Sequence, residues 1–406
     1  MVDFPVFALI FQGIKSKEKF KFYFRKISAP FFVLVIWIVI TAVPAINFGW
    51  AMAELSKAVR AYLVFLCVAN HVKTQKDVHA IMAGFYVGIL FEWLLAMWQW
   101  RIGPTPLMPF INEQFHNWRS TGTFYAPHYL ANYLIMLVPI LLRLFLFYKP
   151  QQKSLTKWYG VVLGAGVLTV LITFARGAWV SFAGAMALMF FLSLLKSKYR
   201  PKIKWALGLL IIFGAAFLIH YLPTIERQFG EERESATTIR FDQFRIARRM
   251  IKANPIFGTG LGNYELVSPN FVFDYEKADP RSWQFSEMVH NSYFFLTAQL
   301  GYPGILMFFW GIIMSFIQGF KAAASKSPYN SNIGIGLLTG LLAICIAFLA
   351  GPDIISQQLL VQIGFFIGML VALNEQERLL QKKLIYLRRM KAANQSADGR
   401  APGQAA

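Results

Sequence analysis

Long apolar blocks alternate with short polar connections along this chain. The alternation predicts ten spans, roughly 31–48, 55–70, 79–100, 129–148, 157–175, 178–195, 203–222, 303–320, 333–350 and 354–373. A helix needs roughly 20 apolar residues to cross the hydrocarbon core of a bilayer. The second block is short, and Lys57 and Arg60 at its outer end are expected to snorkel toward the interface. One polar stretch breaks the rhythm. Residues 223–289 form the longest non-apolar segment, and a helical apolar run headed by His290 follows it.

Composition agrees with the blocks. Of 406 residues, 56% are hydrophobic and 15% are charged. A soluble domain would carry about a quarter of charged residues, so that class is excluded. Cys67 and Cys345 both fall inside apolar blocks, which argues against a disulfide framework and gives no metal-ligand spacing. No cofactor is expected. The first long block follows a basic arm and leads directly into the second, so it is expected to be a retained span rather than a cleaved signal.

The net charge of +20 raises nucleic acid as a partner. The placement of the charge removes that reading. Basic residues gather in one set of connections: 1–30, 71–78, 149–156, 196–202, 321–332 and the tail from 374. By the positive-inside rule this set is cytoplasmic, with both termini inside. The opposite face carries a linker over 101–128, a tight turn around Arg176 and the loop 223–289. Basic residues in that loop are nearly balanced by acidic ones such as Glu276 and Asp279, as suits a folded cap.

The expected fold is therefore an all-α integral membrane protein of about ten transmembrane helices. One large extracytoplasmic loop holds short amphipathic helices, a GT-C-like arrangement. Five segments follow: a basic interfacial arm (1–30), an N-terminal bundle (31–222), an extracytoplasmic catalytic loop (223–302), C-terminal spans (303–373) and a basic tail (374–406).

Candidate chemistry lies on the outer face. Arg119, after Trp118 and just before the fourth span, is either an interfacial arginine or an anion ligand. Arg176 sits in the hairpin between two spans that leave almost no loop, where a charge is costly and commonly functional. Residues 239–253 read as an amphipathic helix stopped by Asn254-Pro255. Arg245, Arg248, Arg249 and Lys252 share its polar side, the ordinary pattern of a solvated face. Arg240 instead lies on the line of Phe244, Ala247 and Ile251, so it points inward and calls for an anionic partner.

The Gly258-Thr259-Gly260-Leu261-Gly262 run lacks the strand and the lysine of a nucleotide site, and a tight turn at the membrane surface is the better reading. His290 heads a helix expected to be capped by Ser286, with Glu287 in its first turn. A helix N-terminus disfavours imidazolium and keeps the ring ready to accept a proton. His71, His79, His116, His128 and His220 have no comparable setting.

The residues His290-Asn291, Gly301 and Gly304 resemble the signature of the bacterial O-antigen ligases and the related O-antigen polymerase superfamily. Arg240, Asn254-Pro255 and the glycine run resemble the loop that precedes that histidine. Thr173 to Gly177 resembles the family's arginine turn, and Arg119 to Phe124, with Pro127 and Asn132, resembles its earlier outer-face motif. The resemblance covers roughly residues 100–320. Gln299 stands where many members have Glu, and Ile305 where ligases commonly have Thr, Val or Tyr.

The resemblance implies a glycosyltransferase of the bacterial inner membrane, active on the periplasmic face. It would move a glycan from an undecaprenyl-pyrophosphate carrier to an acceptor. An O-antigen ligase uses lipid A core as acceptor in lipopolysaccharide biosynthesis. A polymerase uses a second repeat unit, and a protein oligosaccharyltransferase a Ser or Thr hydroxyl. In this picture Arg176 and Arg240 bind the pyrophosphate, Arg119 assists, and His290 is the general base of an inverting, metal-independent transfer. The competing classes are a polysaccharide-lipid flippase and a structural membrane protein. Flippases tend to show internal repeats and mid-span charges, whereas the candidates here sit at span ends.

Overall fold

The computed structural model describes residues 26–103, 119–149, 153–194 and 232–397, with isolated positions between 201 and 219. Among the described residues the protein is helical, without strands. The helices are α1 (Ser28–Ala42), α2 (Phe48–His71), α3 (Gln75–Arg101), α4 (Pro127–Phe147), α5 (Lys153–Ile172), α6 (Arg176–Leu194), α7 (Glu232–Ala253), α8 (Tyr264–Val267), α9 (Asp274–Lys277), α10 (Ser282–Phe285), α11 (Ser292–Ala323), α12 (Pro328–Ala347) and α13 (Gln357–Ala397). It is an all-α membrane protein, as expected.

Seven of these helices, α3 to α6 and α11 to α13, are long and apolar enough to cross a bilayer. α1 is apolar but has only 15 residues. α2 is long enough, but Glu54, Lys57 and Arg60 interrupt it. The Lys57 ammonium is not left to snorkel alone, because Glu54 one turn earlier accepts a hydrogen bond from it. The expected span at 203–222 lies almost wholly outside the described residues. The expected span at 303–320 is the second part of the longer α11, and the one at 354–373 is the first half of a 41-residue helix.

α4 and α12 form the centre, with α5, α6 and α11 packed against them and α13 laid along α2. Small residues let the two central helices touch. A Cβ on Gly340 of α12 would stand 2.3 Å from the Met136 carbonyl oxygen of α4. Close backbone approach of this kind is how spans gain packing energy where lipid offers no hydrophobic drive.

Two charged side chains lie within spans and serve packing. Arg143 of α4 is 1% exposed and donates to Asn332 of α12 at 2.8 Å and to Ser193 of α6. Glu92 of α3 accepts from the Thr123 backbone N–H at 2.9 Å and from its hydroxyl. Gln99, two turns on, accepts from the N–H groups of Thr121 and Gly122. α3 thus anchors the turn that carries Arg119.

α7 to α10 form a cap. Arg249 of α7 does more than face solvent. It grips Glu276 with two hydrogen bonds of 2.7 and 2.8 Å and lies over the Phe273 ring. That bidentate clamp holds the Glu276 carboxyl down at about 2. The cap is tied to α11 through the glycine run. Gly301 breaks α11 with φ 66°, and Pro303 has no N–H to give. The carbonyls this frees are taken up by the loop. Thr259 N–H donates to Ala298 and Gly260 N–H to Gln299, both at 3.0 Å, while Tyr302 N–H donates to Pro255 at 2.8 Å. The Gln299 side chain accepts from Gly262 N–H. The run is therefore a turn docked on a broken helix, and the amides of Thr259, Gly260 and Gly262 are spent on that docking.

Candidate active site

α11 starts later than expected. It begins at Ser292, and its N-cap is Asn291, whose side chain accepts from the N–H groups of Tyr293 and Phe294. Ser286 is not the cap, since its hydroxyl donates to the Trp283 carbonyl. A polar side chain immediately before the first turn competes best for the orphan N–H groups, and Asn291 occupies that place. His290 therefore stands in a bend just before the helix, where Asn291 N–H donates to the Val289 carbonyl at 2.7 Å.

The segment is stitched to the turn between α12 and α13. Ser292 N–H donates to Phe348, the Ser292 hydroxyl to Gly351, and the Asn291 side chain to Leu349. Ile354 N–H donates back to the Ser292 hydroxyl. These bonds hold the turn that carries Asp353 against the segment that carries His290.

His290 leans on α7. Its Nδ1 is 2.7 Å from Oε1 of Gln243, a side chain with no exposed surface. The Gln243 amide nitrogen donates to the Gln284 carbonyl at 3.0 Å, which fixes the amide with its oxygen toward the imidazole. Nδ1 must then carry the proton, and the lone pair is left on Nε2. Burial, and after it the charge of Arg240, pushes the imidazole below its ordinary value. The ring is held neutral and pre-set in one tautomer, as a general base requires.

The three predicted arginines converge with His290 on one cavity of about 880 Å³. Arg119 donates from Nε to the Thr173 carbonyl at 3.0 Å. That carbonyl belongs to the α5–α6 hairpin, where Phe174 adopts φ 50°, a conformation bulky residues rarely accept. The bend turns the chain sharply enough for Arg176 to begin α6 at the cavity wall. Arg119 and Arg240 both have their pKa lowered, first by burial and then by the charge of Arg176. Three guanidinium groups that repel one another in a half-enclosed space make a receptor for a multiply charged anion.

Glu265, Glu287 and Asp353 line the same cavity, together with His128 of α4. The sequence reading set His128 aside, yet its Nε2 is 3.5 Å from Asp353 Oδ1. Burial pushes the Asp353 carboxyl up to about 7, against an opposing hydrogen bond from Asn132. Gln243 and Asp353 are the site residues that sequence reasoning missed. A mostly apolar cavity of about 460 Å³ adjoins this one and shares Glu265, Met288 and Ile355 with it. Among the described residues no group of three His, Cys, Asp or Glu side chains is placed to hold a metal ion.

Residues 159–309 match the O-antigen ligase family. The match supports the O-antigen ligase and polymerase superfamily whose motifs the chain resembles. The matched stretch contains Arg176, Arg240, Gln243 and His290, while Arg119, His128 and Asp353 lie outside it. No curated protein matches the chain. Together with seven bilayer-length helices among the described residues, the match supports a membrane enzyme of O-antigen ligase or polymerase type.

Proposed function

We propose that this protein is a glycosyltransferase of O-antigen ligase type. It moves a glycan from an undecaprenyl-pyrophosphate carrier to an acceptor hydroxyl, with lipid A core as the first acceptor to test. The observation that carries this reading is the meeting of three arginines and a tautomer-locked histidine in one cavity. A sugar pyrophosphate needs both. As the acceptor oxygen bonds to the anomeric carbon, its proton passes to Nε2 of His290. The bond from that carbon to the phosphate oxygen breaks on the opposite face, so the configuration inverts. The electron pair leaves on the pyrophosphate, and Arg176, Arg240 and Arg119 stabilise that growing charge.

The clustering of basic residues in one set of connections supports a cavity on the periplasmic side of the bacterial inner membrane. The extracytoplasmic loop over 223–302 supplies the base, and the bundles on either side supply the arginine hairpin and the acidic turn.

The test uses the purified full-length protein in nanodiscs with an undecaprenyl-pyrophosphate-linked glycan. Lipid A core, a second carrier-linked repeat and a Ser-containing peptide are supplied separately. Release of carrier pyrophosphate should depend on one acceptor and fall by about 10³-fold in His290→Ala. Full activity in that variant would remove the proposed base. Carrier movement across the bilayer with no transfer to any acceptor would favour a flippase.

A further inference from the structure

The basic residues on the polar side of α7 do not share one role. Arg245 and Arg249 turn toward the cap and pair with Glu276. Arg248 and Lys252 are exposed, and among the described residues neither forms an ion pair. The helical winding runs past the end of α7, where Asn254 N–H donates to Met250 and Gly258 N–H to Asn254, both at 3.0 Å. Arg248, Lys252 and Ile256 therefore stand one turn apart on a single exposed line.

That line ends where α1 and α11 face lipid. Phe257 stacks on Trp37 of α1, with ring centroids 5.7 Å apart and planes inclined by 12°. Trp37 in turn donates from Nε1 to the Leu300 carbonyl of α11 at 2.8 Å. A Cβ on Gly301 would stand 2.0 Å from the Ile256 carbonyl oxygen, so the turn lies directly on the break in α11. Beyond that break, from Tyr302 to Phe320, α11 carries no charged residue. This stretch is about 28 Å long, close to the thickness of a hydrocarbon core. The turn over 254–258 thus meets α11 at one edge of the core. Ile256 and Phe257 are 55% and 48% exposed there, beside the exposed Tyr302 and Leu306. They continue the outward apolar surface that Ile36 and Ile40 present on α1.

We propose that this turn docks the cap on the bilayer. Ile256 and Phe257 enter the acyl layer, and Arg248 and Lys252 hold the phosphate of an anionic phospholipid in the leaflet on the cap side. Lys252 is one helical turn, about 5.4 Å, from Ile256, which matches the step from the core edge into the headgroup layer. Guanidinium binds phosphate through two parallel hydrogen bonds, and the ammonium adds a point charge. Basic side chains flanking inserted apolar ones are the make-up of an interfacial anchor. The other end of α7 carries Arg240 and Gln243, so docking sets the height of the cavity above the leaflet. The proposal needs only that α11 spans the bilayer, and it stands apart from the glycosyltransfer reading.

The test uses the full-length protein with Ile256→Cys in a Cys67→Ala/Cys345→Ala background. The new thiol is labelled with nitrobenzoxadiazole, and the protein is placed in phosphatidylcholine nanodiscs. A nitroxide on the lipid acyl chain should quench the label more strongly than a water-soluble, membrane-impermeant nitroxide. The reverse order would overturn the proposal. The same acyl nitroxide is then carried in equal amount by phosphatidylglycerol or by phosphatidylcholine. Phosphatidylglycerol should quench about threefold more. Arg248→Gln/Lys252→Gln should bring that ratio close to one, while Arg248→Lys, which keeps the charge, should retain most of it. Equal quenching by the two lipids in the parent protein would sink the headgroup site, as would a ratio unchanged in the double variant.

Discussion

An imidazole becomes a dependable base only when one nitrogen is committed elsewhere. Here Gln243 accepts the hydrogen bond from Nδ1–H, and burial with Arg240 keeps the ring uncharged. The sign of the pH effect follows. A lowered pKa means the base form persists in mild acid, so activity should hold until the pH drops below the ordinary imidazole value of about 6.5. A carboxylate in place of the amide favours imidazolium and raises that pKa. Gln243→Glu should therefore move the acid limb of kcat/KM to higher pH. Gln243→Leu should lower kcat by roughly 10²-fold with little change in donor KM. A pH profile in Gln243→Glu identical to the wild type would make the contact mere packing. Arg240 was legible because an arginine on an apolar helix line is a visible cost. Gln243 lies one turn further along, but a neutral amide carries no such signal, and its partner is 47 positions away. Asp353 was hidden for a similar reason. It falls between two expected spans, and only the bonds from Ser292 show that this turn packs beside His290.

Elements meet at the glycine run and the break in α11. Most spans were legible as elements, since apolar length alone defines them. The start of α11 was misplaced by several residues. Ser286 and Asn291 are both plausible caps in sequence, and the choice depends on which chain end packs against the α12–α13 turn. The glycine run was correctly read as a turn, but its docking surface could not be seen, because the carbonyls it bonds are freed only by the break at Gly301 and Pro303. Gly258 has φ 65°, and an added Cβ would stand 2.3 Å from the Gln299 carbonyl carbon. That contact is with backbone and cannot relax by a rotamer change. Gly258→Ala should destabilise the junction by at least about 2 kcal/mol. Hydrogen exchange should show lost protection at the Thr259 and Gly260 amides, with the α4–α12 core unaffected. Retained protection at both amides would mean the loop does not depend on that close approach.

At the scale of the whole molecule, one helix links the site to the basic tail. α13 begins at Gln357, just after Asp353, and its 41 residues give a length of about 60 Å. The hydrocarbon core is about 30 Å thick, so half the helix is enough to cross it. Side chains turn from buried at Leu373 to exposed from Arg378 onward, where Lys382, Lys383, Arg388 and Arg389 follow. The basic segment and the cavity therefore sit at opposite ends of a span. If the basic end is cytoplasmic, the cavity opens outward, onto the leaflet where a flipped carrier lipid presents its glycan. Single-cysteine labelling in a Cys67→Ala/Cys345→Ala background tests this directly. A membrane-impermeant thiol reagent applied to spheroplasts should modify Glu287→Cys and spare Leu380→Cys until the membrane is permeabilised. The reverse pattern would place the cavity on the cytoplasmic face, where an outward-facing ligase could not work. Both sites labelled without permeabilisation would mean that α13 does not cross the bilayer.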